Sequence, residues 1–146
     1  MPKMIAPHLE WTLLKQQLRN TVPEAFDSSD EPLNLITGEW GHPGNGKRYG
    51  PPIDGRELGR LPMLDLETAK KGVRAAAAEH KEWSRVPLQE RKDRVVKALE
   101  GLREHRLLVA HLLMWEIGKN FKLACSDVDR CIDGVEWYVE HIDSML

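Results

Sequence analysis

A chain of 146 residues carries one domain's worth of polymer, enough to bury about two thirds of the surface its unfolded form exposes, and excludes a second complete domain. Lysine and arginine number 21 against 23 aspartates and glutamates, a formal charge of −2, which excludes binding to nucleic acid or an anionic membrane through bulk charge. Hydrophobic residues at 41% and charged residues at 30% give a globular rather than a disordered composition.

The apolar stretch from Leu107 to Trp115 is interrupted by His111 and falls far short of the roughly 20 residues that a membrane span requires. Pro2, Pro7, His8 and Glu10 stand where a secretory leader needs an uninterrupted apolar core, so the N-terminus is not read as a leader and the cytoplasm is the expected compartment.

Along the chain, Leu9, Leu13, Leu14 and Leu18 with Trp11 predict a short amphipathic helix. Thr21 to Pro32, with Asp27-Ser28-Ser29-Asp30 inside it, reads as a loop or linker. Leu33 to Thr37 predicts a short strand closed by Gly38. Seven glycines and three prolines between Gly38 and Gly59 exclude a helix there. A second strand at about Glu57 to Leu61 is the expected partner of the first, in one loop-rich hairpin. After Pro62 the texture changes. Asp65 reads as an N-cap, and Leu66, Ala69, Val73, Ala76 and Ala77 predict an apolar stripe on a helix running to Trp83. A second helix is expected to begin at Pro87, because proline is tolerated in a first turn. Val95, Leu99 and Leu102 form its inner face, and Arg91, Lys92, Asp93, Arg94 and Lys97 a solvated outer one. A third helix spans about Arg106 to Ile117, with Gly118 as a left-handed C-cap. The last covers roughly Leu123 to Ser144, interrupted by Gly134, and its stretch from Asp127 to Asp143 holds six acids and one arginine, Arg130.

These elements make a mainly α unit with a small N-terminal β-hairpin, in three segments: a helix and linker over 1–32, the hairpin over 33–62 and helices over 63–146. No strand alternates with helix after residue 62, so a nucleotide-binding parallel sheet cannot be assembled from this material.

The motifs with chemistry in them are mostly incomplete. Gly41-His42-Pro43-Gly44-Asn45-Gly46-Lys47-Arg48 nearly spells a phosphate-cradling loop, but Arg48 lacks the hydroxyl that Mg²⁺ needs. Tyr49-Gly50-Pro51-Pro52 cannot then open the helix that holds the phosphate, and a hairpin tip is the plainer reading. The six histidines are scattered, and metal-ligand spacing is absent. Cys125 and Cys131 point about 120° apart on a helix and read as two free thiols. The five tryptophans fall one per element, as packing anchors rather than a stacking platform. The residues by themselves thus supply no catalytic, cofactor-binding or metal-binding constellation.

The order of several short motifs resembles the N-terminal part of the aldehyde dehydrogenase superfamily. Leu33 to Trp40 is similar to that family's opening I-x-G-x-W strand. Gly55, Leu58, Gly59 and Pro62 are similar to its following G-x-x-[IL]-G-x-x-P segment. Ala75 to Ala78, then Trp83, Pro87 and Arg91 at steps of four, and finally Glu116-Ile117-Gly118-Lys119, match the helical motifs that come next. Leu112 to Asn120 followed by Asp129-Arg130 is similar to the non-phosphorylating, NADP-dependent glyceraldehyde-3-phosphate dehydrogenases. In that branch the arginine matching Arg130 lies near the substrate phosphate, which suits a guanidinium fork. Asp127 and Asp133 stand within one turn as alternative, purely local partners for it.

The resemblance implies an N-terminal portion of a protein that oxidises an aldehyde to its acid with NAD or NADP. It also implies that the nucleophilic cysteine, general-base glutamate, oxyanion asparagine and cofactor glycines belong to segments beyond Leu146. On that reading this chain is inactive by itself and binds no cofactor, and neither Cys125 nor Cys131 matches the nucleophile. Without the family's sheet, the faces carrying Val95, Leu99, Leu108, Leu112 and Trp115 are expected to need another cover, which predicts self-association. The alternative is a helical protein-interaction module without catalysis, its acidic last helix meeting a partner.

Overall fold

The computed structural model describes residues 10–41 and 46–146, which fall into two compact units, Glu10–Arg85 and Val86–Leu146. The predicted tip residues His42 to Asn45 lie outside the described residues, as do Met1 to Leu9.

In the first unit, helix α1 spans Trp11–Thr21 and buries Leu14 completely, while Leu13 stays half exposed. Trp11 donates its indole N–H to the Leu58 carbonyl at 3.0 Å, which ties α1 to a buried leucine 47 residues away. The linker that follows is ordered by its own carboxylates. Asp27 Oδ1 accepts from the backbone N–H of Ser29 at 2.8 Å and of Glu31 at 3.0 Å, an Asx turn that leaves Asp30 at φ 65°. Lys15 and Arg19 of α1 both reach Asp30. Burial raises its carboxyl pKa, but those two cations outweigh it and the net shift is downward.

The single expected hairpin is two. Strand β1 (Asn34–Ile36) pairs antiparallel with β2 (Glu39–Gly41), Leu35 opposite Trp40, and β3 (Lys47–Tyr49) pairs with β4 (Gly59–Leu61). The expected partner of the first strand is therefore taken by β3. The cause is local: Thr37 at φ 56° and Gly38 at φ 83° make a two-residue turn with both central residues left-handed, which reverses the chain at once. β3 begins at Lys47, directly after Gly46, so a strand stands where a phosphate-binding loop would need a helix.

Helix α2 (Leu66–Trp83) starts as predicted. Asp65 Oδ1 accepts from Thr68 N–H at 2.9 Å, and Thr68 Oγ1 donates to Oδ2 at 2.7 Å, bonds that hold the Asp65 carboxyl below its usual range. Its predicted stripe is only partly used. Ala69, Gly72, Ala75 and Trp83 are half-buried, but Leu66 is 67% and Val73 71% exposed. α2 comes close to β1 at Gly72, where a Cβ would sit 3.5 Å from the Ile36 methyl.

The second unit is three helices: α3 (Leu88–Glu104), α4 (Arg106–Ile117) and α5 (Phe121–Met145). Pro87 immediately precedes α3, and α4 matches its predicted bounds. The predicted interruption at Gly134 does not occur. A glycine inside a helix costs about 1 kcal/mol, which packing along a 25-residue helix offsets. The core joins Ala110 and Met114 of α4 to Ala124, Cys125, Val128 and Ile132 of α5, with Leu102 of α3 packed against it. Leu99 and Trp115 are buried and Val95, Leu108 and Leu112 half-buried, so the faces expected to lie bare are covered in part. Ion pairs lace the surface: Lys92 to Asp143, Arg103 to Glu136, and Arg106 to both oxygens of Asp129, with Nη2 to Oδ2 at 2.6 Å. Lys92 thus leaves the solvated face expected of it. Cys125 is buried, Cys131 exposed, and both are free.

Candidate functional site

The Glu116-Ile117-Gly118-Lys119-Asn120 segment turns the chain from α4 into α5. Gly118 takes φ 71° and donates its N–H to the Met114 carbonyl at 3.0 Å, ending α4 in the left-handed conformation that glycine adopts without a Cβ penalty. Two residues on, Asn120 Oδ1 accepts from Leu123 N–H at 3.0 Å and starts α5. A corner this short brings Lys119 against the second turn of α5, where its ammonium pairs with Asp127.

Arg130 lies one turn further along α5 with its side chain 73% exposed, and its guanidinium also pairs with Asp127. Of the two local partners open in the sequence, Asp127 is the one used. The structure therefore gathers Lys119, Asp127 and Arg130, two cations on one carboxylate, a cluster that keeps one net positive charge at the surface. Spacing alone revealed the three-residue step from Asp127 to Arg130. The eight-residue step from Lys119 to Asp127 depends on the corner geometry and carries no sequence signal.

Glu116 lies in the last turn of α4, beside this corner. Although the residue keeps solvent access, burial around it pushes its carboxyl above the ordinary value of 4.5. Because the folded state holds this proton more tightly than the unfolded one, the contribution to stability is full below pH 4.5 and is lost as pH rises through the raised value. Urea unfolding followed across that range is expected to show Glu116→Gln without this decline. Parallel curves for the variant and the parent would contradict it.

The first unit carries a half-open cleft of about 370 Å³ between the Thr37-Gly38 turn and α2, lined by Gly72, Ala75, Ala76 and Glu79. Glu79 is its sole charged lining group, and the lining holds no nucleophile paired with a base. Among the described residues no group of three or more His, Cys, Asp or Glu side chains could hold a metal ion. No helix among them is long and apolar enough to cross a membrane. All strand pairing among them is antiparallel, and they do not make the parallel strand, glycine turn and helix that seat a dinucleotide pyrophosphate.

Residues 46–146, which hold β3, β4, α2 to α5 and the whole α4–α5 corner, match the model of the aldehyde dehydrogenase family. The chain belongs to the aldehyde dehydrogenase family. The match takes in the segments around Gly55 to Pro62, Trp83 to Arg91 and Glu116 to Lys119, while the strand motif at Leu33 to Trp40 lies outside it. Among curated relatives, malonate-semialdehyde dehydrogenase 1 of Bacillus thuringiensis (strain Al Hakam) is 33% identical over 105 residues, 70% of this chain and 22% of that protein. Malonate-semialdehyde dehydrogenase of Bacillus cereus (strain AH187) and malonate-semialdehyde dehydrogenase 1 of Bacillus anthracis match to the same extent. The chain thus spans 22% of the length of these relatives. Its helices and small antiparallel ribbons are consistent with a piece of the aldehyde dehydrogenase fold.

Proposed function

We propose that this chain is the N-terminal portion of an NAD- or NADP-dependent aldehyde dehydrogenase that oxidises a small anionic aldehyde to its carboxylic acid. The observation that carries this reading is the family match over residues 46–146. The shared length of 22% with full relatives supports placing the cofactor site and the reacting thiol elsewhere in a longer polypeptide, with this chain inactive by itself. The full-length enzyme is a self-associating protein of the cytoplasm on this reading.

Arg130 is the proposed substrate contact. An exposed guanidinium held only by a carboxylate three residues back is released cheaply, since such surface pairs contribute less than about 1 kcal/mol. With Lys119 still neutralising Asp127, Arg130 is free to offer its fork to a phosphate or carboxylate. The sequence resemblance favours glyceraldehyde 3-phosphate with NADP. The relatives' names favour malonate semialdehyde, and both aldehydes carry the anion that this site suits.

The test is steady-state nicotinamide reduction by the full-length protein with each aldehyde and each dinucleotide. Arg130→Ala is expected to raise KM for the anionic aldehyde about tenfold and to leave KM for an uncharged aldehyde of similar size unchanged. An equal effect on both aldehydes would remove Arg130 from the site. The second reading, a helical interaction module, is favoured by the bare apolar side chains of α2, Leu66 and Val73. A gene with no reading frame for the rest of an aldehyde dehydrogenase would turn the conclusion to it.

A further inference from the structure

The last turns of α5 carry a surface that the rest of the unit leaves uncovered. Trp137 is 47% and Tyr138 60% exposed, their rings edge to face at 5.3 Å. His141 stacks on the indole at 4.5 Å and 17° and fixes itself by its Nδ1 contact to the Trp137 carbonyl at 2.8 Å. The aromatic group is therefore ordered while it faces solvent, which lowers the entropy cost of docking against it.

Charge marks the same place. Of the acids on α5, Asp127, Asp129, Glu136 and Asp143 are each met by a lysine or arginine of the unit. Asp133 and Glu140 are exposed and meet no cation among the described residues. At 100° per residue these two fall within one stripe with Trp137, one turn before it and one turn after. Arg130 begins the same stripe but is turned aside to Asp127. The two uncompensated carboxylates thus flank the exposed indole, an arrangement that suits a lysine ammonium on an otherwise apolar segment. A second copy of this stripe would set like charges together and is disfavoured.

We propose that the Asp133–Trp137–Glu140 face of α5, with Tyr138 beside it, seats a lysine-bearing apolar segment from the remaining part of the full-length polypeptide. This rests on the reading of the chain as part of a longer dehydrogenase, since 78% of the length of its relatives lies outside the matched segment by difference from the 22% shared. The occupant is a segment of that remainder, defined by its charge and apolar character.

The experiment uses the full-length protein, first shown to be active. Carbodiimide treatment joins a carboxylate to an amine only where the two are in contact, and peptide mass spectrometry locates the link. The expected result is an intramolecular link from Asp133 or Glu140 to a lysine outside residues 1–146, with Trp137 oxidised by hydroxyl radicals as slowly as the buried Trp115. The double variant Asp133→Lys, Glu140→Lys is expected to lose the link and to oxidise several-fold faster at Trp137. An active enzyme that gives no such link, or links that join two isotopically distinct copies, would overturn the proposal. Absence of dehydrogenase activity would instead strike at the functional reading on which it rests.

Discussion

Trp115→Ala is expected to destabilise the protein by about 3–5 kcal/mol, the range for truncating a large aromatic side chain inside a core. The residue is 1% exposed, and its neighbour on α4, Met114, belongs to the cluster that joins α4 to α5. Removing the indole leaves a cavity that helices pinned by the Arg106–Asp129 fork cannot easily collapse around. Small domains are stable by only about 5–15 kcal/mol, so the loss is a large fraction of the whole. Urea unfolding followed by far-ultraviolet circular dichroism reads it as a fall in midpoint. A loss below about 1 kcal/mol would mean that the indole is not packed.

Gly118→Val is the second large effect, expected to cost about 2 kcal/mol or more. At φ 71° a β-branched residue sits in the left-handed region, where a Cβ meets the following carbonyl. The C-cap either strains or opens, and with it moves the corner that brings Lys119 to Asp127. Gly118→Asn is expected to lose much less, because asparagine tolerates this conformation. The order of midpoints, glycine above asparagine above valine, is the readout. Equal losses for asparagine and valine would mean that φ is not the cause.

Helix positions were legible where a local signal and an apolar period coincide. Asp65 before an alanine-rich run, Pro87 ahead of α3 and Gly118 after α4 each mark an end that the backbone respects. The hairpins were not legible in the same way. The Thr37-Gly38 turn lacks the Asn-Gly or Asp-Gly signature, and three-residue strands carry too few alternations to declare a partner. Gly134 shows the opposite failure, a strong local breaker overruled by tertiary packing.

The candidate site was legible in part. Arg130 and its neighbour Asp127 stand within one helical turn, so their pairing needs no knowledge of the fold. Lys119 joins them only because Gly118 and Asn120 compress the corner to three residues. Apolar periodicity also assigned α2 a buried stripe that the described residues cover only in part, as Leu66 and Val73 show. Periodicity reports that a face is apolar and is silent on which other piece of protein covers it.

The central claim is that this chain is a structural portion of an aldehyde dehydrogenase whose reacting thiol lies elsewhere. The most direct test is aldehyde-dependent nicotinamide reduction by the full-length protein and by its Cys125→Ala, Cys131→Ala double variant. The account predicts turnover by the parent, with kcat unchanged within about twofold in the variant, since a covalent nucleophile cannot be removed without collapse of the rate. A parent that reduces no nicotinamide, or a folded double variant that has lost turnover, would contradict it.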